Sequence, residues 1–188
     1  MKKKDGAVTG GGRLFLQNES FSEEIIFTKK GRVHMKVKHI SIAVDPEQTG
    51  NPVFGAPADL TAYILEPVEG ITDKKRPAVL LCPGGGYHKL SGREDQPIAM
   101  KYLAAGFHVF VLHYSLVPDV FPRALMELAL SMKLIREHGN EWNVDVKRIA
   151  VSGFSAGGHL ACCLGTFWNK EWLYKALEVK PEMIQPNG

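Results

Sequence analysis

Gly153, Ser155 and Gly157 alternate through IAVSGFSAGGHLACC (149–163), at the point where an apolar run gives way to a helical one. A serine at the tip of a strand-to-helix turn is held on a tight, strained bend with its oxygen presented above the sheet. The flanking glycines are needed there because strand and helix approach too closely for side chains. The start of the helix adds free N–H groups and a partial positive charge beside any oxyanion that forms. Ser155 is therefore the candidate nucleophile for acyl transfer. Ala156, the residue after it, is the candidate for one oxyanion N–H donor.

A second donor should come from a loop that follows an earlier buried strand. LLCPGGGYHKL supplies such a loop, and Gly84, Gly85 and Gly86 let backbone N–H groups turn inward without obstruction by a Cβ. Alone, three glycines read as a flexible turn. Paired with the serine turn in this order, they make Gly85 and Gly86 the candidate donors, with Tyr87 and His88 as candidate substrate contacts. Of the other histidines, His159 lies one helical turn past Ser155 and reads as a packed or capping residue. His108 falls inside an apolar strand and reads as core, and His138 reads as the cap of a helix end. His113, just past a strand end, reads as a structural hydrogen-bonding group, and His34 and His39 lie on a peripheral strand.

These residues need a scaffold. VHMKVKHISIAVD and ADLTAYILEP alternate as strands and read as an antiparallel pair opening a sheet, before a turn-rich VEGITDKKRP. PAVLLC, FHVFVL and RIAVSG are apolar runs suited to strands buried on both faces. Between and after them come three helical stretches. QPIAMKYLAAG has Pro97 in its first turn, and Gly106 is its expected stop. Pro122–His138 aligns Leu125, Leu128, Ala129, Met132 and Ile135 on one face. The third runs from Ala156 to Trp168. Alternating strands and helices with short connections mean an α/β fold with a parallel sheet covered on both sides. Residues 1–33, including RLFLQN, EEIIFTKKG and TGGGR, read as an arm of uncertain structure ahead of one domain over 34–188.

Composition narrows the function classes. The chain has 188 residues, 45% hydrophobic and 23% charged, with a formal charge of +3. That is one domain of ordinary make-up. Its basic residues are largely scattered, with a run at Lys2-Lys3-Lys4 that reads as a solvated tail, which argues against a nucleic-acid partner. No apolar stretch approaches the roughly 20 residues that span a bilayer, and the first dozen residues lack the apolar segment of a signal peptide. No membrane partner is expected. Cys82, Cys162 and Cys163 are odd in number and sit in apolar runs, so they read as small buried hydrophobes rather than disulfide partners. No cysteine or histidine spacing suggests a metal, and the reading is of a cytoplasmic protein.

Taken together, CPGGGYHKLSGRE, HYSLVP and VSGFSAGGHLA resemble the α/β-hydrolase superfamily, in particular the esterase/lipase branch that includes acetyl-xylan-type and other small carboxylesterases. That branch carries a His-Gly-Gly-Gly or Pro-Gly-Gly-Gly loop, and Pro83 gives this sequence the second form. The resemblance runs from about Val33 onward. It implies a three-layer α/β-hydrolase fold with a mostly parallel sheet. It also implies a small-molecule ester as substrate, no cofactor, and hydrolysis of short-chain acyl groups from carbohydrates or small molecules through an acyl-serine. In such enzymes an aspartate or glutamate and then a histidine follow the serine. Here 33 residues follow Ser155, the last histidine is His159, and Glu171, Glu178 and Glu182 lie on or just after the terminal helix. None is assigned to the triad.

The resemblance thus implies a C-terminally incomplete domain, about the first two-thirds of a catalytic one. Losing the histidine of such a unit costs about 10⁶ in turnover, so these residues alone are expected to be nearly inert. An uncovered sheet edge makes homo-oligomerisation an expectation too. The other reading is a non-catalytic, hydrolase-like small-molecule binding protein, against which the intact serine turn speaks.

Overall fold

Strand side chains alternate between two faces, and in this protein each face finds its own cover. The computed structural model describes residues 21–27, 33–67 and 74–188. The strands are β1 (Phe21–Phe27), β2 (Val33–Ile42), β3 (Ala58–Leu65), β4 (Arg76–Cys82), β5 (His108–His113) and β6 (Val144–Gly153). The helices are α1 (Pro46–Thr49), α2 (Gln96–Ala104), α3 (Arg123–Glu137), α4 (Ala156–Phe167), α5 (Glu171–Ala176) and α6 (Pro181–Ile184). RLFLQN, TGGGR, the lysine run and most of the VEGITDKKRP turn lie outside the described residues.

One six-stranded sheet has the order β1-β2-β3-β5-β4-β6. β1, β2 and β3 pair antiparallel, and β3 pairs antiparallel with β5. β4 lies between β5 and β6, parallel to both. β2, β4, β5 and β6 therefore run in one direction, the mostly parallel sheet the pattern predicts. The expected β2–β3 pair is present, with His39 opposite Thr61. Phe21–Phe27 adds a further strand beyond β2.

Ala78, Leu80, Cys82, Phe110 and Leu112 point into a core completed by Leu125, Leu128 and Met132 of α3, Leu160 and Leu164 of α4, Leu173 of α5 and Ile184 of α6. The alternate residues Leu81, Val109 and Val111 point the other way, onto Ala99 and Leu103 of α2. Three layers result. α2 ends where Gly106 takes a left-handed φ of 90°. The five residues expected on one face of α3 are all buried. One expectation is corrected: RIAVSG is not buried on both faces. β6 is the last strand in the order, so Ile149 is buried, Arg148 is exposed and Val151 to Gly153 are half-buried. Along its outer side, Asn187 N–H donates to Ile149 O, and Val151 N–H donates to Gly188 O. Among the described residues no helix is long and apolar enough to cross a membrane.

A buried charge network fastens the segment between β5 and α3. Arg123 and Glu127 are 3% and 0% exposed, and Arg123 Nε donates to Glu127 Oε1 at 3.0 Å. Arg123 Nη1 stands 2.6 Å from Asp119 Oδ1, an ion-pair distance without hydrogen-bond alignment. Arg123 Nη2 donates to the carbonyls of Gly55 and Ala56, and Asp119 accepts from Phe54 N–H and Gly55 N–H. The Glu127 carboxylate also accepts from the Ser115 hydroxyl and N–H. Burial raises the Glu127 carboxyl above its ordinary range, while the Ser115 bonds and Arg123 pull it down. Removing one partner strands a buried charge, so Glu127→Ala is expected to cost about 3–5 kcal/mol, read as a fall in the urea unfolding midpoint.

Candidate active site

β6 ends at Gly153 and α4 begins at Ala156, so only Phe154 and Ser155 make the turn. Ser155 takes φ 50°, ψ −118°, a left-handed φ that a side chain rarely adopts. Its side chain is exposed, and its Oγ is hydrogen-bonded to no group among the described residues. Neighbouring backbone imposes the conformation. A Cβ on Gly157 would stand 2.0 Å from Cys82 O and 2.5 Å from Pro83 O, and one on Gly153 would stand 2.3 Å from Gly157 O. Phe154 N–H donates to Cys82 O and Gly157 N–H to Phe154 O, closing the turn onto the end of β4. Ala156 N–H, in the first turn of α4, donates to no group among the described residues.

The glycine loop packs against this turn. A Cβ on Gly84 would meet Phe154 O at 2.6 Å, Glu94 Oε2 at 2.7 Å and Ser155 Cβ at 3.1 Å. Gly84 N–H donates to Glu94 Oε2 at 2.9 Å, so it is not free for a ligand. Gly85 has φ 138° and its carbonyl accepts from His88 N–H and Lys89 N–H. Gly86 has φ 68°. The N–H groups of Gly85 and Gly86 donate to no group among the described residues. Three unoccupied N–H donors, at Gly85, Gly86 and Ala156, thus lie on the two segments that meet at Ser155.

Tyr87 and His88 separate. Tyr87, at φ 61°, packs edge-on against Tyr114 with ring centroids 5.7 Å apart, and its hydroxyl lies 2.9 Å from His159 Nδ1. Burial, with the Cys163 thiol nearby, pushes the Tyr87 phenol up to about 12, so it stays neutral. His88 closes a turn onto Gly85 O, and its ring is exposed to solvent. His159 is exposed as well, bridging to Tyr87 and standing 3.7 Å from Cys163 Sγ, rather than capping the helix. Tyr87, His159, Leu160 and Cys163 form one wall of a cavity of about 280 Å³, and Val117, Val120, Phe121 and Leu125 form the other. Ser155 is not in its lining; it sits one turn of α4 earlier. Cys82 is buried as expected, but Cys162 is exposed and Cys163 half-buried. Leu160 and Leu164 define the inner face of α4, which puts Cys162 on the outer one.

His113 is fully engaged elsewhere. Its Nε2 lies 2.6 Å from Asp95 Oδ2 and its Nδ1 3.6 Å from Asp59 Oδ2. Asp59 also accepts from the Thr61 hydroxyl and lies 3.2 Å from His39 Nδ1. Hydrogen bonds to Asp59 and Asp95 raise His113 to about 9, and despite partial burial the histidine and threonine partners hold Asp59 at about 2. His108 is core, accepting from Leu65 N–H at Nδ1 with Nε2 on Asn143 O; burial pushes it down to about 4. His138 stacks on Trp142 at the end of α3. Among the described residues no cluster of histidine, cysteine or acidic side chains could hold a metal ion.

This is an α/β-hydrolase: a three-layer fold with a serine on a strained strand-to-helix turn beside a glycine loop. A model of the BD-FAE family matches residues 67–185, and the chain belongs to that family. Over 90 residues it is 30% identical to the acetylxylan esterase of Xylanibacter ruminicola, covering 47% of this chain and 19% of that one. Among solved structures it is similar to MGS-M1, an α/β-hydrolase enzyme from a Medee basin deep-sea metagenome library. There the TM-score is 0.61 and the identity 38%, over 70% of this chain and 51% of that one. The carboxylesterase Cest-2923 of Lactobacillus plantarum gives a TM-score of 0.60 and 35% identity, over 67% and 48%. The chain spans less than a fifth of that curated relative and about half of each solved structure.

Two experiments check this geometry. Gly157→Ala forces a methyl into two carbonyls and is expected to cost at least about 3 kcal/mol in a thermal or urea melt. Gly165→Ala, where nothing lies within 4 Å, is expected to stabilise the same helix by about 0.5–1 kcal/mol. The second concerns pH. A histidine raised to about 9 contributes stability that is complete below 6.5 and lost as pH rises through 9, whereas Asp59 keeps its share down to 3.8 and loses it as pH falls through 2. His108, held neutral, contributes stability that is lost as pH falls from 6.5 towards 4. The unfolding midpoint should therefore be highest near neutrality, and His113→Asn should flatten its decline between pH 6.5 and 9.5.

Proposed function

We propose that this chain carries the nucleophile and oxyanion donors of a serine carboxylesterase that hydrolyses short-chain acyl esters of carbohydrates or small molecules. The observation that carries the reading is the turn at Ser155, a strained φ with an exposed Oγ, held against the unoccupied N–H groups of Gly85, Gly86 and Ala156. Ser155 Oγ attacks the acyl carbon while a base takes its proton. The carbonyl oxygen becomes an oxyanion facing those N–H groups, and the alcohol leaves with the proton as the acyl-serine forms. Water then releases the acid. Each oxyanion donor in such a site is worth about 10²–10³ in turnover. No histidine among the described residues is hydrogen-bonded to Ser155 Oγ, so this reading takes the base, and the acid that orients it, from outside the described residues. The acetylxylan esterase relative supports acetylated carbohydrate as the substrate class.

One observation favours a second reading. A serine with no hydrogen-bonded base is also what a non-catalytic binding protein of this fold would show. A fluorophosphonate separates the two. An esterase is expected to gain the phosphonyl mass on the Ser155 peptide and to lose all labelling as Ser155→Ala. A binding protein would bind ester ligands yet stay unlabelled.

A further inference from the structure

We propose that Glu94 is a positioning residue, which together with Tyr114 sets the direction of the oxyanion donors; this rests on the esterase reading above. Pro83 C=O and Gly84 N–H are the two ends of one peptide group. The Tyr114 hydroxyl, in a side chain only 2% exposed, donates to Pro83 O at 2.7 Å. Glu94 Oε2 accepts Gly84 N–H at 2.9 Å from the opposite side. A peptide plane held at both ends cannot rotate, and it is the plane that leads into Gly85 and Gly86.

Those two glycines need such a constraint. At φ 138° and 68° they occupy conformations without side-chain guidance, and glycine has no preference of its own that would keep N–H groups aimed one way. Glu94 is itself held. Its N–H donates to Ser91 O, and Ser91 N–H donates to Gly84 O at 2.8 Å, closing the loop on itself. The next residue, Asp95, starts α2 and is bound by His113. Glu94 Oε2 and Ser155 Cβ both border the space in front of Gly84, so a small shift of this carboxylate is felt at the serine.

The charge points to positioning rather than electrostatic help. A carboxylate beside a developing oxyanion opposes it, so what Glu94 supplies is an acceptor for an N–H. A glutamine offers the same acceptor without the charge, which makes the idea testable in the purified protein with a p-nitrophenyl acetate assay. Glu94→Ala is expected to lower kcat about 10–100-fold with KM within about threefold, as misplaced donors would. Glu94→Gln should restore kcat to within about fivefold of the parent. Tyr114→Phe, which frees the other end of the same peptide, should act like Glu94→Ala and replaces it if the alanine variant fails to fold. Amide exchange of Gly84, followed by NMR, should speed up in Glu94→Ala and stay slow in Glu94→Gln.

Unchanged kcat in Glu94→Ala, unchanged Gly84 exchange, or a glutamine variant as impaired as the alanine one would each overturn the proposal while leaving the esterase reading standing. A parent protein that neither hydrolyses esters nor takes a phosphonate on Ser155 overturns the esterase reading, and this role falls with it even if Gly84 exchange responds as described.

Discussion

The first turn of α4 rests directly on the carbonyls of Cys82 and Pro83, with no room for a single methyl between Gly157 and either oxygen. Most of the site depends on this contact. It sets the spacing between the end of β4 and the end of β6, whose last residues, Cys82 and Gly153, are paired neighbours in the sheet. Because β6 ends at that level, the chain must turn within two residues, and the strained φ of Ser155 follows from the lack of space. The glycine loop leaves β4 at the same point, so its backbone is brought against Ser155 by strand pairing rather than by any recognition between the two segments.

Much of this arrangement is legible in the sequence because its causes are local. An apolar run, a serine with a glycine two residues to either side and a helical stretch define the turn within fifteen residues. The faces of α3 follow from spacing alone. What could not be read depends on partners far along the chain. RIAVSG has the same apolar character as PAVLLC, and only the strand order shows that one lies at the edge and the other inside. The exposure of Cys162 depends on how α4 is rotated against the sheet, which is decided by Leu160 and Leu164 meeting the core. His88 and Tyr87 are equivalent by position in the sequence, but a hydrogen-bonded turn onto Gly85 separates them. Glu94 carries no signal of its own within SGRE, since nothing in its neighbours reveals that its acceptor is needed ten residues earlier.

The charged groups divide their work by location. On one side of the sheet, His113 ties Asp59 of β3 to Asp95 at the start of α2, so the helix that follows the glycine loop is moored to the middle of the sheet. On the other, the Asp119–Arg123–Glu127 network reaches from the start of α3 to the backbone before β3. Neither set contributes a proton-transfer group to Ser155. Both hold the segments whose backbone surrounds it.

The segment from Ser115 to Arg123 mixes two kinds of residue. Ser115, Asp119 and Arg123, four apart, are bonded into the buried charge network. Val117, Val120 and Phe121, between them, line the cavity and are about half exposed or more. Ser115 and Asp119 also face the cavity, but Val117, Val120 and Phe121 have no part in the charge network, so the apolar share of that wall can drift through substitution with little penalty to the fold. Descendants of one sequence could then diversify in the molecules they accept while inheriting an unaltered scaffold.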